Sequence, residues 1–329
     1  MMQERTPRWR RLTLAGGAGL ALGLGVALGL PPRTRHLRST PRPTTTYAAA
    51  LERFEVVRAR DNNAVHPACH SALLHHGGPT DSVVLLLHGL TNCPLQFDAF
   101  GKRLHAAGHT VLVPRLPRNG LADRRTTALA GLRADELAAF GDETMDIAVG
   151  LGRRVTVFGL SAGGLVAAWI AQHRPEAARV IIAAPFLGVS SFAVPYQAMI
   201  RNLLVRMPNL MLEDSAKELA EKPAHNYVRK SSRSLGELML LGEGVLREAR
   251  HTAPAAPEIV LVNNPADFVI NHQLVDLLGR RWRSHGRTTV DEYVFRVEDQ
   301  LGHDIIDPLQ KTAKPDLVYP VLQHLIERR

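Results

Sequence analysis

The stretch Arg154-Val155-Thr156-Val157-Phe158-Gly159-Leu160-Ser161-Ala162-Gly163-Gly164-Leu165-Val166-Ala167-Ala168-Trp169-Ile170 changes character at its centre. Its first part, rich in β-branched and aromatic residues, predicts a strand over Arg154–Phe158. Its last part predicts a helix over 162–174. Between them lies G-x-S-x-G. A strand that turns tightly into a helix holds the serine in a strained conformation, so the residues two away must be nearly free of side chain. The helix that follows directs backbone N–H groups at negative charge developing beside the serine. In this setting Ser161 reads as a nucleophile.

Working outward, the run Val83–Leu87 predicts a strand that ends in His88-Gly89-Leu90-Thr91. A serine attacking a carbonyl creates an oxyanion that needs two pre-aimed donors. The sequence offers the N–H of Ala162, one residue past the nucleophile, and the N–H of Leu90 in the glycine-containing loop. A serine hydroxyl also needs a base. Of 15 histidines, His303 stands shortly after the last predicted strand, in Gln300-Leu301-Gly302-His303-Asp304. A carboxylate must then fix the imidazole tautomer. Asp267 lies four residues past the strand Glu258–Asn263, at a strand end where an open α/β sheet gathers its site. Asp304 competes for this role, but chain neighbours rarely orient each other's side chains. The order is therefore Ser161, Asp267, His303.

The remaining strand candidates are Ser82–Leu87, Thr110–Val113, Arg179–Ala184 and Thr288–Arg296, alternating with helical stretches at 95–107, 133–150, 271–284 and 315–328. Alternation of this kind predicts a mostly parallel sheet with helices on both faces. Residues 50–80 are expected to add one or two leading strands. About 186–250 shows no strand signal, is apolar, holds four of the seven methionines and predicts a helical cap over the site.

These residues together resemble the α/β-hydrolase superfamily, in particular its lid-bearing carboxylesterase and monoacylglycerol-lipase branch. The resemblance covers about residues 50–328, on His88-Gly89-Leu90-Thr91, the turn at 159–163, Asp267 and Gly302-His303. It implies an eight-stranded sheet, a Ser-His-Asp triad and an acyl-enzyme intermediate. Where such enzymes often follow Arg-Leu-Pro with Gly-His-Gly, this chain has Arg115-Leu116-Pro117 followed by Arg118-Asn119-Gly120. The expected activity is hydrolysis of a carboxylic ester with a hydrophobic or acyl part. An acyltransferase or an amidase or peptidase would use the same triad, and a non-catalytic binding protein would use the scaffold alone. A dehalogenase or epoxide hydrolase would need Asp in place of Ser161.

The chain of 329 residues carries a net charge of +9, but eight arginines against Glu4 alone put +7 of it in residues 1–45. The body lacks the basic stripe that nucleic-acid binding requires. Residues 12–30 form an uncharged apolar run behind an Arg-rich lead, and 31–46 read as an extended tether. Residues 1–46 therefore predict either a membrane anchor or, if cleaved, an export signal, with the hydrolase domain over 47–329. Arginines on both sides of the run leave its orientation open. Cys69 and Cys93 form a disulfide if the domain is exported, and are two buried thiols otherwise. The sequence contains no H-E-x-x-H, no G-x-G-x-x-G after a strand and no G-x-x-x-x-G-K-[ST], so no metal or cofactor is implied.

Overall fold

In the computed structural model the described residues are 37–328. The apolar run at 12–30, with its anchor and signal readings, lies outside them. Among the described residues no helix is long and apolar enough to cross a membrane.

A seven-stranded sheet organises the domain. Its strands are β1 (Ala72–Leu74), β2 (Thr80–Leu87), β3 (Thr110–Val113), β4 (Gly152–Leu160), β5 (Ala177–Ala183), β8 (Glu258–Asn263) and β9 (Thr289–Val294). They stand in the order β1-β3-β2-β4-β5-β8-β9, with β1 antiparallel and the others parallel. Among the described residues the expected eighth strand is absent, because residues 50–80 supply only β1 before β2. Residues Tyr47–Arg58 instead form helix α1, capped by the Thr46 side chain. The central strands are buried over their last residues, with Val83 to Leu87 fully inaccessible, which is why they read as continuous apolar runs. Helices α2 (Asp98–Ala106), α3 (Ala134–Leu151), α4 (Ala162–His173), α8 (His272–Arg283) and α9 (Pro315–Glu327) cover the two faces.

Register decides where the chemistry lies. Leu87 of β2 pairs with Gly159 of β4, and Leu160 of β4 with Ala183 of β5. The loops that begin at His88 and Ser161 therefore leave the sheet side by side at its C-terminal edge.

Two expectations are corrected. Residues 37–46 are no loose tether. Ser39 and the Thr40 N–H donate to Asp142, the Arg42 N–H donates to Asp146, and Leu37 is buried in the core. Asp142 and Asp146 of α3 also pair with Arg174, which is wholly inaccessible. Buried carboxylates need such partners, and the strap supplies part of the set. The cap is also smaller than 186–250. Helix α7 (Ser232–Glu248) buries Leu238, Met239, Leu240, Leu241 and Val245 in the main core, so it belongs to the body. The cap proper holds α5 (Gln197–Arg206), α6 (Ala216–Glu221) and a small antiparallel ribbon of β6 (Met211–Glu213) and β7 (Arg229–Ser231), which the apolar pattern conceals.

Candidate active site

Ser161 occupies the turn between β4 and α4 with φ 59° and ψ −113°, a left-handed conformation that costs energy in a residue with a side chain. The turn closes only because its neighbours are glycines. A Cβ on Gly163 would strike the Leu87 carbonyl, and one on Gly159 the Gly163 carbonyl. The Ser161 N–H donates to the Ala183 carbonyl at 3.0 Å, and the Ser161 carbonyl accepts from Leu165 N–H at 2.9 Å and Phe186 N–H at 3.1 Å. Backbone bonds on three sides hold the strained residue.

The two other sequence candidates meet it. His303, on the loop after β9, has its Nε2 2.9 Å from Ser161 Oγ and its Nδ1 2.7 Å from Asp267 Oδ2. The ionised Asp267 can only accept, so Nδ1 carries the proton and Nε2 is free to receive the one on Ser161. Asp267 is buried, and burial alone would raise its pKa. The hydrogen bond from His303, the charge on His303 and the Val269 N–H outweigh that, and hold the carboxyl below its ordinary value. The Asp304 carboxylate is hydrogen-bonded to other groups, none of them the imidazole.

Backbone amides line the other side of Ser161. In the loop after β2, Gly89 N–H donates to Gln96 Oε1, Thr91 N–H to Asn119 Oδ1, Asn92 N–H to the Gly89 carbonyl and Cys93 N–H to Asn92 Oδ1. Among the described residues, the Leu90 N–H alone of these five has no acceptor. The Ala162 N–H opens α4 and, like any first-turn amide, has no intrahelical partner. His88 itself is structural. Leu116 N–H donates to its Nε2 and its Nδ1 donates to the Gly89 carbonyl. Burial, with the nearby Arg115 charge adding to it, lowers its pKa to about 3, so the ring stays neutral.

Sequence reasoning missed Gln96, Asn92 and Asn119, each buried and each fixing this loop. Asn119 stands in the departure from Gly-His-Gly, and that substitution was the one available signal. A further tie comes from the cysteines. They are bonded to each other, and Cys93 follows the amide-bearing loop directly.

A pocket of about 470 Å³ opens over Ser161 and His303. Its lining includes the apolar Phe186, Val189, Leu235 and Leu238 and, from the cap, the polar Asn226, Lys222 and Lys230. None of the cap methionines lines it. Met239 is buried in the core, while Met199 and Met207 face outward. The cap reaches the body through Tyr227. Its N–H donates to the Thr91 carbonyl and its hydroxyl to the Arg118 carbonyl, and burial pushes that hydroxyl up to about 12. Among the described residues no group of three or more His, Cys, Asp or Glu side chains is placed to hold a metal ion.

A parallel sheet with a serine perched between a strand and a helix, and an imidazole and a carboxylate arriving from later strand ends, defines a hydrolase-type α/β protein. The sequence matches the model of the alpha/beta hydrolase family over residues 84–318, and the chain belongs to that family. No curated protein matches the sequence. Among solved structures, it is similar to a lipolytic enzyme described with the metagenome-derived LipS and LipT, at 18% identity and a TM-score of 0.58, covering 80% of this chain and 100% of that one. It is also similar to the Paleococcus ferrophilus monoacylglycerol lipase, at 19% identity and TM-score 0.56 over 78% and 96% of the two chains. A soluble variant of the Saccharomyces cerevisiae monoglyceride lipase matches at 15% identity and TM-score 0.58 over 79% and 90%. At these identities the likeness concerns the fold.

Proposed function

We propose that this protein is a serine hydrolase that cleaves a carboxylic ester through an acyl-enzyme. The observation that carries the reading is the unbroken chain from Asp267 Oδ2 through His303 to Ser161 Oγ, at 2.7 and 2.9 Å, on the floor of an open pocket. His303 takes the Ser161 proton as the hydroxyl attacks the ester carbonyl. Leu90 and Ala162 N–H groups receive the oxyanion, and Asp267 supports the imidazolium. His303 then protonates the departing alcohol, and water repeats the sequence to free the acid. The apolar lining of Phe186, Val189, Leu235 and Leu238 suits a hydrophobic acyl part. The lipolytic names of the structural neighbours agree with that choice.

The test is a series of p-nitrophenyl esters of increasing chain length, run on wild type and Ser161→Ala, with fluorophosphonate labelling alongside. Turnover and labelling that both vanish in Ser161→Ala are expected. Equal background rates from the two proteins would remove the proposal. Acid and ester products, measured with an added alcohol, separate hydrolysis from acyl transfer. We also propose that residues 12–30 anchor or export the domain, a reading that the Cys69–Cys93 bond supports, since such bonds persist outside the reducing cytosol. Fractionation of cells expressing the full chain checks it, and recovery in the cytosolic fraction would reject it.

A further inference from the structure

Asp304 follows the proposed base directly, yet its carboxylate turns away from the triad. It is buried, and all five of its recorded partners are neutral N–H donors. Oδ2 accepts from Gln96 Nε2 at 2.7 Å, Asn92 Nδ2 at 3.1 Å and Gln310 Nε2 at 3.1 Å, while Oδ1 accepts from the Ile306 and Asp307 N–H groups at 3.1 Å each. Burial above all, with the Asp307 carboxyl, raises its pKa above the ordinary carboxylate value, and the donors offset part of that rise. Such a set fits an ionised carboxylate, because a proton on either oxygen would face another donor. His225 of the cap lies 3.1 Å from Asp307 of the same loop.

The consequence passes through Gln96. Its amide, 2% exposed, has one workable orientation. Nε2 must face the acceptor-only carboxylate, so Oε1 must face the Gly89 N–H, which it accepts at 2.9 Å. Asn119 holds Thr91 N–H at 3.1 Å on the other side. The Leu90 peptide is thus clamped between two fixed amides.

We propose that Asp304 and Gln96 are positioning residues that set the direction of the Leu90 N–H. They would tie the loop bearing the base to the loop bearing the oxyanion donor, so that both meet the reacting carbonyl in register. The proposal rests on the serine-hydrolase reading above. It assigns a use to a buried carboxylate that the triad leaves aside.

The test compares Gln96→Glu, Asp304→Asn and the double variant. Values of kcat are expressed per serine titrated to completion with a fluorophosphonate, so that misfolded protein does not count. Gln96→Glu sets two carboxylates against each other, and Asp304→Asn releases the amide of Gln96 to turn over. Each single variant is expected to lose about 100-fold in kcat with KM within about threefold, as a misaimed transition-state donor requires. In the double variant the amide at 304 donates to the carboxylate at 96, whose other oxygen accepts from Gly89 N–H; Gln310 can turn its carbonyl to that amide, while Asn92 is left facing a donor, so the rescue is partial. It should recover about tenfold over Gln96→Glu alone, because interacting residues are non-additive.

Single variants with kcat per titrated site within about twofold of wild type would overturn the proposal, and so would a double variant whose loss is the product of the two. Residues that merely support the fold would lower the melting temperature and the titrated fraction and leave kcat per site unchanged. Should the charged variants fail to fold, Gln96→Met removes the amide without adding charge. The same loss in kcat is expected from it, and an unchanged kcat would refute the idea. Failure of the serine-hydrolase reading is a different result: the wild type itself would neither label nor turn over.

Discussion

Breaking the Cys69–Cys93 bond should cost stability and activity by separable amounts. The cysteines stand 24 residues apart in sequence. In the chain-entropy model, releasing a closed loop of that length from the unfolded state is worth about 3.5 kcal/mol at 25 °C. For a domain of this size, that corresponds to a fall in melting temperature of about 6 °C. The bond also touches function, because the Cys93 N–H donates to Asn92 Oδ1 and Asn92 Nδ2 donates to Asp304. The buried Val65 packs with the two cysteines, and Cys93 is wholly inaccessible, so some of the anchoring survives reduction. The assay is urea unfolding and p-nitrophenyl ester turnover of oxidised protein, of protein reduced with a phosphine, and of Cys69→Ser/Cys93→Ser. The urea midpoint should fall in both altered forms, with kcat falling more than KM rises. Two thiols titrating at once in unfolded, never-reduced protein would refute the bond. An unchanged midpoint after verified reduction would refute the energetic argument.

Three further outcomes follow from the geometry. Asp267→Asn leaves an amide facing His303 Nδ1 and favours the wrong tautomer, so kcat should drop by about 10³–10⁴-fold while substrate still binds, as steady-state kinetics would register. Arg174→Met leaves the buried Asp142 without its cation and Asp146 with Arg53 alone, at a cost of about 3 kcal/mol. Denaturant melts should show that loss, with faster proteolysis at 39–46 as the strap loosens. Acid should destabilise the fold through Asp267, Glu176 and Glu258, whose pKa values the folded state lowers. A lowered folded value means that stability is present above the unfolded carboxylate pKa, about 4, and is lost as pH falls through the folded values. The urea midpoint should therefore decline below about pH 4, and a flat midpoint down to pH 3 would contradict this.

The proposed triad was legible because each member comes after a strand that can be read locally. Ser161 and Asp267 sit just past apolar runs, His303 on the loop after the last strand, and chain order then limits their roles. The eighth strand, the extent of the cap and the strap were not legible, for three separate reasons. Residues 47–58 carry a helix with almost no amphipathic pattern to announce it. The apolar positions of α7 suit a cap and a body helix equally well, since burial against one surface or another leaves the same periodicity. The strap is polar and proline-rich, and its order comes from Asp142 and Asp146, about a hundred residues further along the chain.

By itself the sequence determined the parallel α/β sheet, the strained turn at Ser161 and the residue types that follow the strand ends. Those features depend on local propensity and on glycines whose need is steric and short-range. Only the tertiary structure decided that Asp267 and His303 come within 2.7 Å, which donors hold the Leu90 loop and that the two cysteines meet. Along the chain Asp267 is preferred to Asp304 only by a rule about chain neighbours, and no partner of either is visible there. They differ because one faces the imidazole and the other faces three side-chain amides, and that choice is made by packing between segments up to about two hundred residues apart.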